Sequence, residues 1–295
     1  WDIKVSPNLP NPDCYLPNNG GYHDDSIDIQ INVTYWTQDL QQVDAPGEGT
    51  TTVMSARVKL TDVSQFRTGF ANKYPSKQAR HVNDMTKRFN AVMGIDGDYC
   101  LYHEQGIVVR NGQTLRMRPH KGRDELIVDE NGDFHLITCT TQAKWDEYIA
   151  GGGTVLHAFC FGPALVVDGV PLTSLDDVTI DNGKAKKAQR MVIGQIGKLE
   201  YLILTNEGPE STAPKSVGFD LVQMANLCVQ FGLNNAYNLD GGSSSTIALN
   251  NQKINSPSSH KNRMVGDCIW FATLVKEETW REEESVQTVE VEENK

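Results

Sequence analysis

The segment Asn238-Leu239-Asp240-Gly241-Gly242-Ser243-Ser244-Ser245-Thr246 combines a carboxylate, two glycines and four consecutive hydroxyl residues. The run from Ala236 to Asp240 predicts a strand, so the carboxylate would sit at the end of a rigid element. The glycines permit a sharp turn, and backbone N–H groups exposed at such a turn can bind an anion. The segment therefore predicts a site for a phosphate-sized ligand, although a simple Asx-type turn would use the same residues.

Two other chemistries fit the glycines and serines less well. A serine acyl hydrolase uses G-x-S-x-G followed by a helix, whereas residues 241–245 lack the closing glycine and a hairpin is predicted to follow. This class is kept as a minor alternative. A phosphate-loop NTPase is excluded because G-x-x-x-x-G-K-[ST] does not occur in the sequence.

The elements that must position this segment are mainly strands. Apolar residues alternate with polar ones at 27–35 and at 54–60, which predicts strands with one buried face, and 91–95 predicts a short buried strand. Helical spacing appears at 79–89, 143–150 and 219–231, and a last strand is predicted at 268–275.

Turn dipeptides indicate how the strands are connected. Asn111-Gly112, Asn131-Gly132 and Asp168-Gly169 each separate two apolar runs, and such pairs tolerate the positive φ of type I′ hairpin turns. Two more hairpins are predicted, at 193–204 and at 247–254. We therefore expect an α+β fold, a single domain of largely antiparallel or mixed sheets built from hairpins, with a few packing helices.

Composition narrows the class of protein. The chain has 295 residues and a net charge of −11, and no cluster of Lys and Arg interleaved with aromatic residues appears, so we expect no nucleic-acid partner. No apolar run reaches the ~20 residues of a membrane span. The six cysteines contain no C-x-x-C pair, which argues against structural zinc, while disulfides remain open.

Five landmarks in order make the sequence similar to the phosphodiester glycosidase family. The best is Asn238 to Thr246, which resembles the N-L-D-G-G-G-S-S-T segment of that family. The others are Ile95-Asp96-Gly97-Asp98-Tyr99, Gly106 to Gly112, Gly162-Pro163-Ala164-Leu165-Val166 and Arg190-Met191-Val192-Ile193-Gly194. Asn255-Ser256-Pro257 and Arg263-Met264-Val265 resemble its closing elements.

The resemblance implies hydrolysis of a sugar-1-phosphodiester, which releases a free sugar and a phosphomonoester. It assigns Asp240 as the main catalytic carboxylate, Asp96 as a second one and Arg190 as the phosphate clamp, with Glu207 as a weaker acid/base candidate. Substrate contacts are expected from these residues: Asn238, Gly241, Gly242, Ser243, Ser244, Gly162 and Asp98.

One position departs from the family pattern. Asp96 stands where the family usually has Asn, so a second carboxylate lies close to Asp98. Two such groups either raise one pKa or recruit a cation, so a divalent ion near Asp96 and Asp98 is an alternative to the expectation that no cofactor is required. The same departure motivates a rival function, a noncatalytic carbohydrate-binding module of the same fold.

The organisation expected from the sequence has three parts. Residues 1–50 form an extension with a first strand, 51–275 the catalytic domain, and 276–295 an acidic tail or linker that holds eight Glu residues. The family resemblance implies an extracytoplasmic or secreted protein that acts on cell-surface glycan or exopolysaccharide.

Overall fold

The structure, a computed structural model, describes residues 5–176, 186–209, 211, 215–255 and 262–281. Within these ranges it contains the α-helices α1 (Val82–Phe89), α2 (Gln142–Ala150) and α3 (Leu221–Gln230), and residues 277–281 are also helical. Four short 3₁₀ helices span Pro12–Cys14, Pro17–Asn19, Val63–Gln65 and Gly242–Ser244. No helix in these ranges has the length and apolar character needed to cross a membrane.

Strands account for most of the regular structure. The first ten are β1 (Tyr15–Leu16), β2 (Gly21–His23), β3 (Ile27–Trp36), β4 (Gln42–Val43), β5 (Thr51–Leu60), β6 (Phe66–Phe70), β7 (Met93–Asp96), β8 (Gly106–Arg110), β9 (Gln113–Arg118) and β10 (Glu125–Val128). The remainder are β11 (Phe134–Ile137), β12 (His157–Phe159), β13 (Ala164–Val167), β14 (Val170–Pro171), β15 (Arg190–Gly197), β16 (Glu200–Asn206), β17 (Asn235–Asn238), β18 (Ile247–Leu249), β19 (Gln252–Lys253) and β20 (Asp267–Phe271).

These strands form three sheets. The largest has the order β1-β2-β3-β5-β16-β15-β17-β13-β14, with β4 paired to β3. The two smaller sheets have the orders β11-β10-β12-β8-β9 and β19-β18-β7-β20-β6. All strand pairs named here are antiparallel, which confirms the predicted α+β class with hairpin-built sheets.

The main hydrophobic core lies between the large sheet and the two smaller ones. Met191 and Ile193 of β15 point into this core, where they join Ile95 of β7 and Ile269 of β20. The other face of the large sheet packs on α3, through contacts such as that of Val192 with the Leu221 side of the helix. Central strands are therefore buried on both faces, which explains why their sequences are continuously apolar rather than alternating.

The remaining helices cover the smaller sheets. Met85 and Phe89 of α1 pack on the sheet of β7 and β20, and Trp145 of α2 packs on the sheet of β8 and β12. Helix α3 begins at a capping box in which the Asp220 carboxylate accepts the N–H of Gln223 at 2.8 Å. All three predicted helices are present within a few residues of their expected bounds.

The five predicted hairpins are also present, as β8–β9, β10–β11, β13–β14, β15–β16 and β18–β19. The last strand, β20, ends at Phe271, so it is shorter than the predicted 268–275. The strands of residues 15–43 join the same sheet as β5, with β3 paired to β5 along its whole length. The first part of the predicted acidic tail is described, with residues 277–281 helical and Trp280 buried, whereas the tail from 282 onward lies outside the described residues.

Candidate active site

Asp240 lies where the large sheet meets one of the smaller sheets. It follows β17 by two residues, and the N–H of Leu239 still donates to the carbonyl of Met191 at 2.8 Å, which continues the sheet towards Asp240. The N–H of Asp240 then donates to the carbonyl of Gly97 at 3.1 Å. This bond joins the end of β17 to the residue that follows β7, so the two catalytic aspartates predicted from sequence, Asp96 and Asp240, are brought together.

The turn after Asp240 is fixed by its two glycines. The N–H of Gly241 donates to Oδ1 of Asp240 at 2.9 Å, and the N–H of Gly242 donates to the carbonyl of Gln189 at 3.0 Å. A Cβ on Gly241 would lie 2.9 Å from the Gln189 oxygen, and Gly242 has a φ of +62°. Glycine is therefore required at both positions. Both amides are bonded within the protein, so neither is placed to bind an anion as the sequence suggested.

The hydroxyl groups of the turn have a different environment. The side-chain oxygens of Ser244, Ser245 and Thr246 are buried and have no hydrogen-bond partner among the described residues, and the same holds for Oδ1 of Asn238. Ser243 is half-buried. Buried polar atoms without a partner are costly, so such a cluster indicates groups that bind water or ligand.

The same turn bears on the serine hydrolase alternative. The serines lie in the 3₁₀ helix Gly242–Ser244, and strand β18 follows them. A nucleophile elbow would place its serine between a strand and a helix. The local geometry is therefore not that of an α/β-hydrolase site.

Asp96 is buried at the end of β7. Its Oδ1 accepts the N–H of Thr246 at 2.8 Å, whereas Oδ2 has no hydrogen-bond partner among the described residues. Burial raises the pKa of Asp96 well above its ordinary value, and the charge of Asp240 raises it further, against the opposing effect of the Thr246 N–H. The shift favours the protonated form of Asp96, in which Oδ2 is a hydrogen-bond donor.

Asp240 has a smaller shift. Burial raises its pKa from 3.8 to about 6, while the Ser244 hydroxyl and the positive charge of Arg263 lower it. The Ser244 hydroxyl lies close enough to the Asp240 carboxyl to lower its pKa, although the two groups do not form a hydrogen bond of normal geometry. Asp240 therefore ionises more readily than Asp96, and such a difference is the one expected of a carboxylate pair with separate roles.

Asp98 belongs to a buried ion cluster behind this pair. Its Oδ1 accepts the backbone N–H groups of Cys160 at 2.8 Å and Phe161 at 2.6 Å, and its Oδ2 lies 3.3 Å from Nη2 of Arg110. The same Nη2 lies 3.2 Å from Oδ2 of Asp267, which accepts the N–H of Asp98 at 3.2 Å. The oxygens of Asp98 are thus engaged by protein groups.

The other predicted residues lie around this centre. Asn238 donates from Nδ2 to the carbonyl of Gly162 at 2.8 Å, which joins two of the predicted substrate contacts. Arg190 is almost fully buried and donates from Nε to the carbonyl of Phe219 at 3.3 Å and from Nη2 to that of Lys186 at 2.6 Å. Burial lowers its pKa to about 10. Glu207 lies beyond the end of β16, close enough to Lys253 for its charge to oppose the lowering of that lysine's pKa by burial.

The described residues contain no group of three or more His, Cys, Asp or Glu side chains arranged to hold a metal ion. Asp96 and Asp98 also use their oxygens differently, because one bonds to the Thr246 amide and the other to Arg110. The geometry thus provides no ready-made D-x-D cation site in this part of the chain.

Comparison with known families identifies this arrangement. The sequence matches the phosphodiester glycosidase family over residues 89–272, which is more than half of the chain and includes both Asp96 and Asp240. The chain belongs to the phosphodiester glycosidase family. A comparison with curated proteins gave no match.

Solved structures share the fold of this family member at low sequence identity. The catalytic domain of zebrafish N-acetylglucosamine-1-phosphodiester alpha-N-acetylglucosaminidase, auto-inhibited by its pro-peptide, aligns with a TM-score of 0.65 at 13% identity, over 92% of this chain and 87% of that one. A hypothetical protein from Synechocystis aligns with a TM-score of 0.55 at 13% identity, over 83% of this chain and 62% of that one. A protein described as exported, from Burkholderia pseudomallei, aligns with a TM-score of 0.52 at 15% identity, over 78% of this chain and 75% of that one.

Three charged residues of this family member were not predicted as site residues. Arg110 and Asp267 are fully buried behind the carboxylate pair, and no local pattern marks them. Arg263 is exposed, lowers the pKa of Asp240, and has its guanidinium carbon 5.4 Å from the centre of the Tyr99 ring. Its only sequence signal was the Arg263-Met264-Val265 element of the family.

We expect Asp240→Asn to stabilise the protein at pH 8. The folded-state pKa of about 6 lies above the ordinary value of 3.8, so stability is lost as pH rises through this interval and stays low above it. An amide avoids this penalty, which corresponds to at most about 3 kcal/mol. Thermal unfolding should show a higher melting temperature for the variant at pH 8, and the gain should shrink towards pH 4.

Asp129→Asn is the matched control. The Asp129 carboxylate accepts the backbone N–H groups of Asn131 at 2.8 Å and Asp133 at 2.9 Å, and it lies 3.1 Å from His135. These contacts lower its pKa despite burial, so its replacement should destabilise the protein at pH 8. Equal losses of melting temperature at pH 8 for Asp240→Asn and Asp129→Asn would show that ionised Asp240 does not destabilise the folded protein.

Proposed function

We propose that this protein hydrolyses a sugar-1-phosphodiester at the anomeric carbon, outside the cytoplasm, and releases a free sugar and a phosphomonoester. The observation that carries the proposal is the buried pair of Asp240 and Asp96 inside the domain matched by the family. Membership of the family, and likeness to a glycosidase whose name specifies a phosphodiester substrate, support this reaction class.

The chemistry requires few protein groups. A phosphate is already a good leaving group, so the reaction needs little general-acid help and depends mainly on stabilising the positive charge that develops at the anomeric carbon. Ionised Asp240 supplies that stabilisation or directs the attacking water. Protonated Asp96 donates a hydrogen bond from Oδ2, and the hydroxyls of the 243–246 turn contact the sugar.

An isotope experiment tests the reaction class. We expect the protein to release reducing sugar from a panel of methyl phosphodiesters of hexose 1-phosphates and N-acetylhexosamine 1-phosphates. In water labelled with oxygen-18, the label should enter the sugar, because the C–O bond breaks. Asp240→Asn should lower kcat by at least ~10³ while the protein stays folded.

Three results would contradict the proposal. Label in the phosphate would indicate a phosphodiesterase that breaks the P–O bond. Full activity of folded Asp240→Asn would remove Asp240 from the mechanism. Binding of a glycan by calorimetry without any turnover would instead favour a noncatalytic carbohydrate-binding module.

The role of Asp96 is tested by two substitutions. Asp96→Asn keeps a neutral group that accepts from the Thr246 N–H and can still donate, so we expect kcat within about tenfold of wild type. Asp96→Leu removes the donor and should lower kcat by ~10²–10³. In the pH profile of kcat, activity should still fall on the acid side near the Asp240 pKa of about 6 in Asp96→Asn. The reason is that the substitution replaces a group that is already neutral.

A fall of the acid limb by a full pH unit in Asp96→Asn would show that Asp96 was ionised. A loss of kcat as large as that of Asp96→Leu would show that Asp96 must transfer a proton. Either outcome would overturn its assignment as a neutral donor.

The residue whose positive charge contacts the substrate phosphate is tested by comparing two arginines. The guanidinium of Arg190 is bound to backbone carbonyls near the Gly241-Gly242 turn, whereas Arg263 is exposed and electrostatically coupled to Asp240. We therefore place the phosphate contact on Arg263. Arg263→Ala should lower kcat for a sugar-1-phosphodiester by ~10²–10³ and affect a neutral aryl glycoside far less.

Arg190→Ala should act differently, because it removes a buried group that holds the backbone beneath the turn. We expect a lower melting temperature and similar losses of activity on both substrates. A selective loss on the phosphodiester in Arg190→Ala, with an unchanged melting temperature, would return the phosphate clamp to Arg190.

A further inference from the structure

A second cavity lies beside the candidate active site. It has a volume of about 560 Å³ and is bounded by the 74–77 loop, the 100–104 loop and strand β9. Its lining includes two tyrosines, Tyr74 and Tyr102, and three basic residues, Lys77, Arg116 and Arg118. This mixture of aromatic and basic side chains differs from the acidic character of the chain as a whole, whose net charge is −11.

Stacked rings connect this cavity with the Asp240 site. The Tyr102 ring stacks on the Tyr99 ring with centroids 4.6 Å apart and an interplanar angle of 28°, and the guanidinium of Arg263 lies over Tyr99. Burial raises the pKa of Tyr102, and the charges of Arg263 and Asp240 also shift it, so these groups are within electrostatic reach of one another. A ligand that extends from Asp240 across Tyr99 would reach the cavity at Tyr102.

The basic character comes mainly from one segment. Residues 116–123 hold Arg116, Arg118, Lys121 and Arg123 without a single Asp or Glu, a feature that did not enter the sequence predictions. Such a concentration of one charge sign attracts ligands of the opposite sign.

Two of these charges are held by neutral acceptors. Arg116 donates to the carbonyls of Cys100 at 2.8 Å and His103 at 2.6 Å, and Arg123 donates to that of Phe161 at 3.2 Å. Carbonyl groups fix the guanidinium groups without cancelling their charge. Arg116 lines the cavity, and the charge of Arg123 reaches its edge, because burial and this charge both lower the pKa of His103 in the cavity lining.

Three further cations, Lys77, Arg118 and Lys121, are exposed. Glu104 is the acidic residue that lines the cavity, and it lies 3.7 Å from Nη1 of Arg118, with side-chain exposures of 91% and 64%. Such an exposed pair is weak in water. The exposed cations therefore remain available to an anionic ligand.

We propose that this cavity and the 116–123 segment form a subsite for a polyanionic glycan, in which successive sugars are joined by phosphodiester groups. The inference rests on the proposed function and specifies the substrate of that same site. One sugar phosphodiester occupies the Asp240 site, the tyrosines contact the next sugar, and the basic segment contacts the following phosphates. A single sugar-1-phosphate diester would leave the cavity and its cations unused.

The test compares two substrates with one cleavable linkage type. The first is the methyl phosphodiester of a hexose 1-phosphate, and the second is an oligomer of six of the same hexoses joined by 1-phosphodiesters. We expect kcat/KM per linkage to be about tenfold higher for the oligomer at 50 mM salt, and this preference to disappear at 500 mM salt because exposed charges are screened.

A charge-reversal variant locates the effect. Arg118→Glu combined with Lys121→Glu should remove most of the preference for the oligomer and leave the rate on the methyl diester within twofold. Lys59→Glu combined with Lys198→Glu is the matched control, because both lysines are exposed and lie at the end of β5 and β15 remote from Asp240. This control should retain the preference.

Binding separates this inference from the proposed function. Calorimetry on Asp240→Asn should show salt-dependent binding of the oligomer that Arg118→Glu with Lys121→Glu weakens about tenfold, and this readout needs no turnover. If the methyl diester is not hydrolysed, the proposed function fails, whereas equal kcat/KM for both substrates at low salt overturns the subsite alone. Equal affinity for a twenty-residue oligothymidylate would identify a nucleic-acid surface and would also overturn it.

Discussion

Four aspartates, Asp96, Asp98, Asp240 and Asp267, are buried around the junction of β7, β17 and β20, and the rest of the site depends on how their charge is balanced. Ionised carboxylates are very costly in an apolar interior unless a cation or a proton compensates them. A single nitrogen of Arg110 lies within 3.3 Å of both Asp98 and Asp267, and its charge opposes the rise that burial causes in the pKa of both carboxyls. Asp96 and Asp240 lie outside this ion cluster, and burial raises the pKa of both.

The ion cluster also fixes the backbone that carries the site. Asp267 accepts the N–H of Asp98, and a Cβ on Gly97 would lie only 2.6 Å from Oδ2 of Asp267. The Gly97 carbonyl held in this way accepts the N–H of Asp240. The Arg110 cluster therefore determines where the two ends of β7 and β17 meet, and removal of one member of such a cluster typically costs about 3–5 kcal/mol.

Local chemistry explains which parts of the fold could be predicted. Asn111-Gly112 and Asp168-Gly169 identified their hairpins because the positive φ they tolerate is a property of those two residues alone, and the structure has φ of +51° and +72° at the first pair. The start of α3 is equally local, because the capping box of Asp220 and Gln223 involves residues only three apart. By contrast, β6 was missed, because its residues Phe66–Phe70 show no alternation and gain their strand from pairing with β20.

The site was predictable only in part for the same reason. The Asp240 segment is continuous, so its residue types were visible in the sequence. The contact of Asp96 with Thr246 joins residues far apart in the chain, and Arg110, Arg263 and Asp267 acquire their roles only when β7, β8 and β20 come together. Contacts between residues so far apart in the chain leave no periodicity or spacing in the sequence. The pairing of Asp96 with Asp240 was predicted only through the family resemblance.

The electrostatic coupling of Asp96 with Asp240 bears on the kind of substrate that the proposed reaction uses. Asp240 raises the pKa of Asp96, and by reciprocity a protonated Asp96 makes it easier for Asp240 to ionise. The two carboxyls therefore ionise in sequence, Asp240 before Asp96, which disfavours a doubly charged pair. In the proposed reaction a doubly charged pair would repel an anionic phosphodiester, whereas a single charge would lie where positive charge develops on the sugar. A neutral Asp96 would then take the role that the amide of Asn has in the usual sequence pattern of the family, and burial together with the charge of Asp240 favours that neutral form.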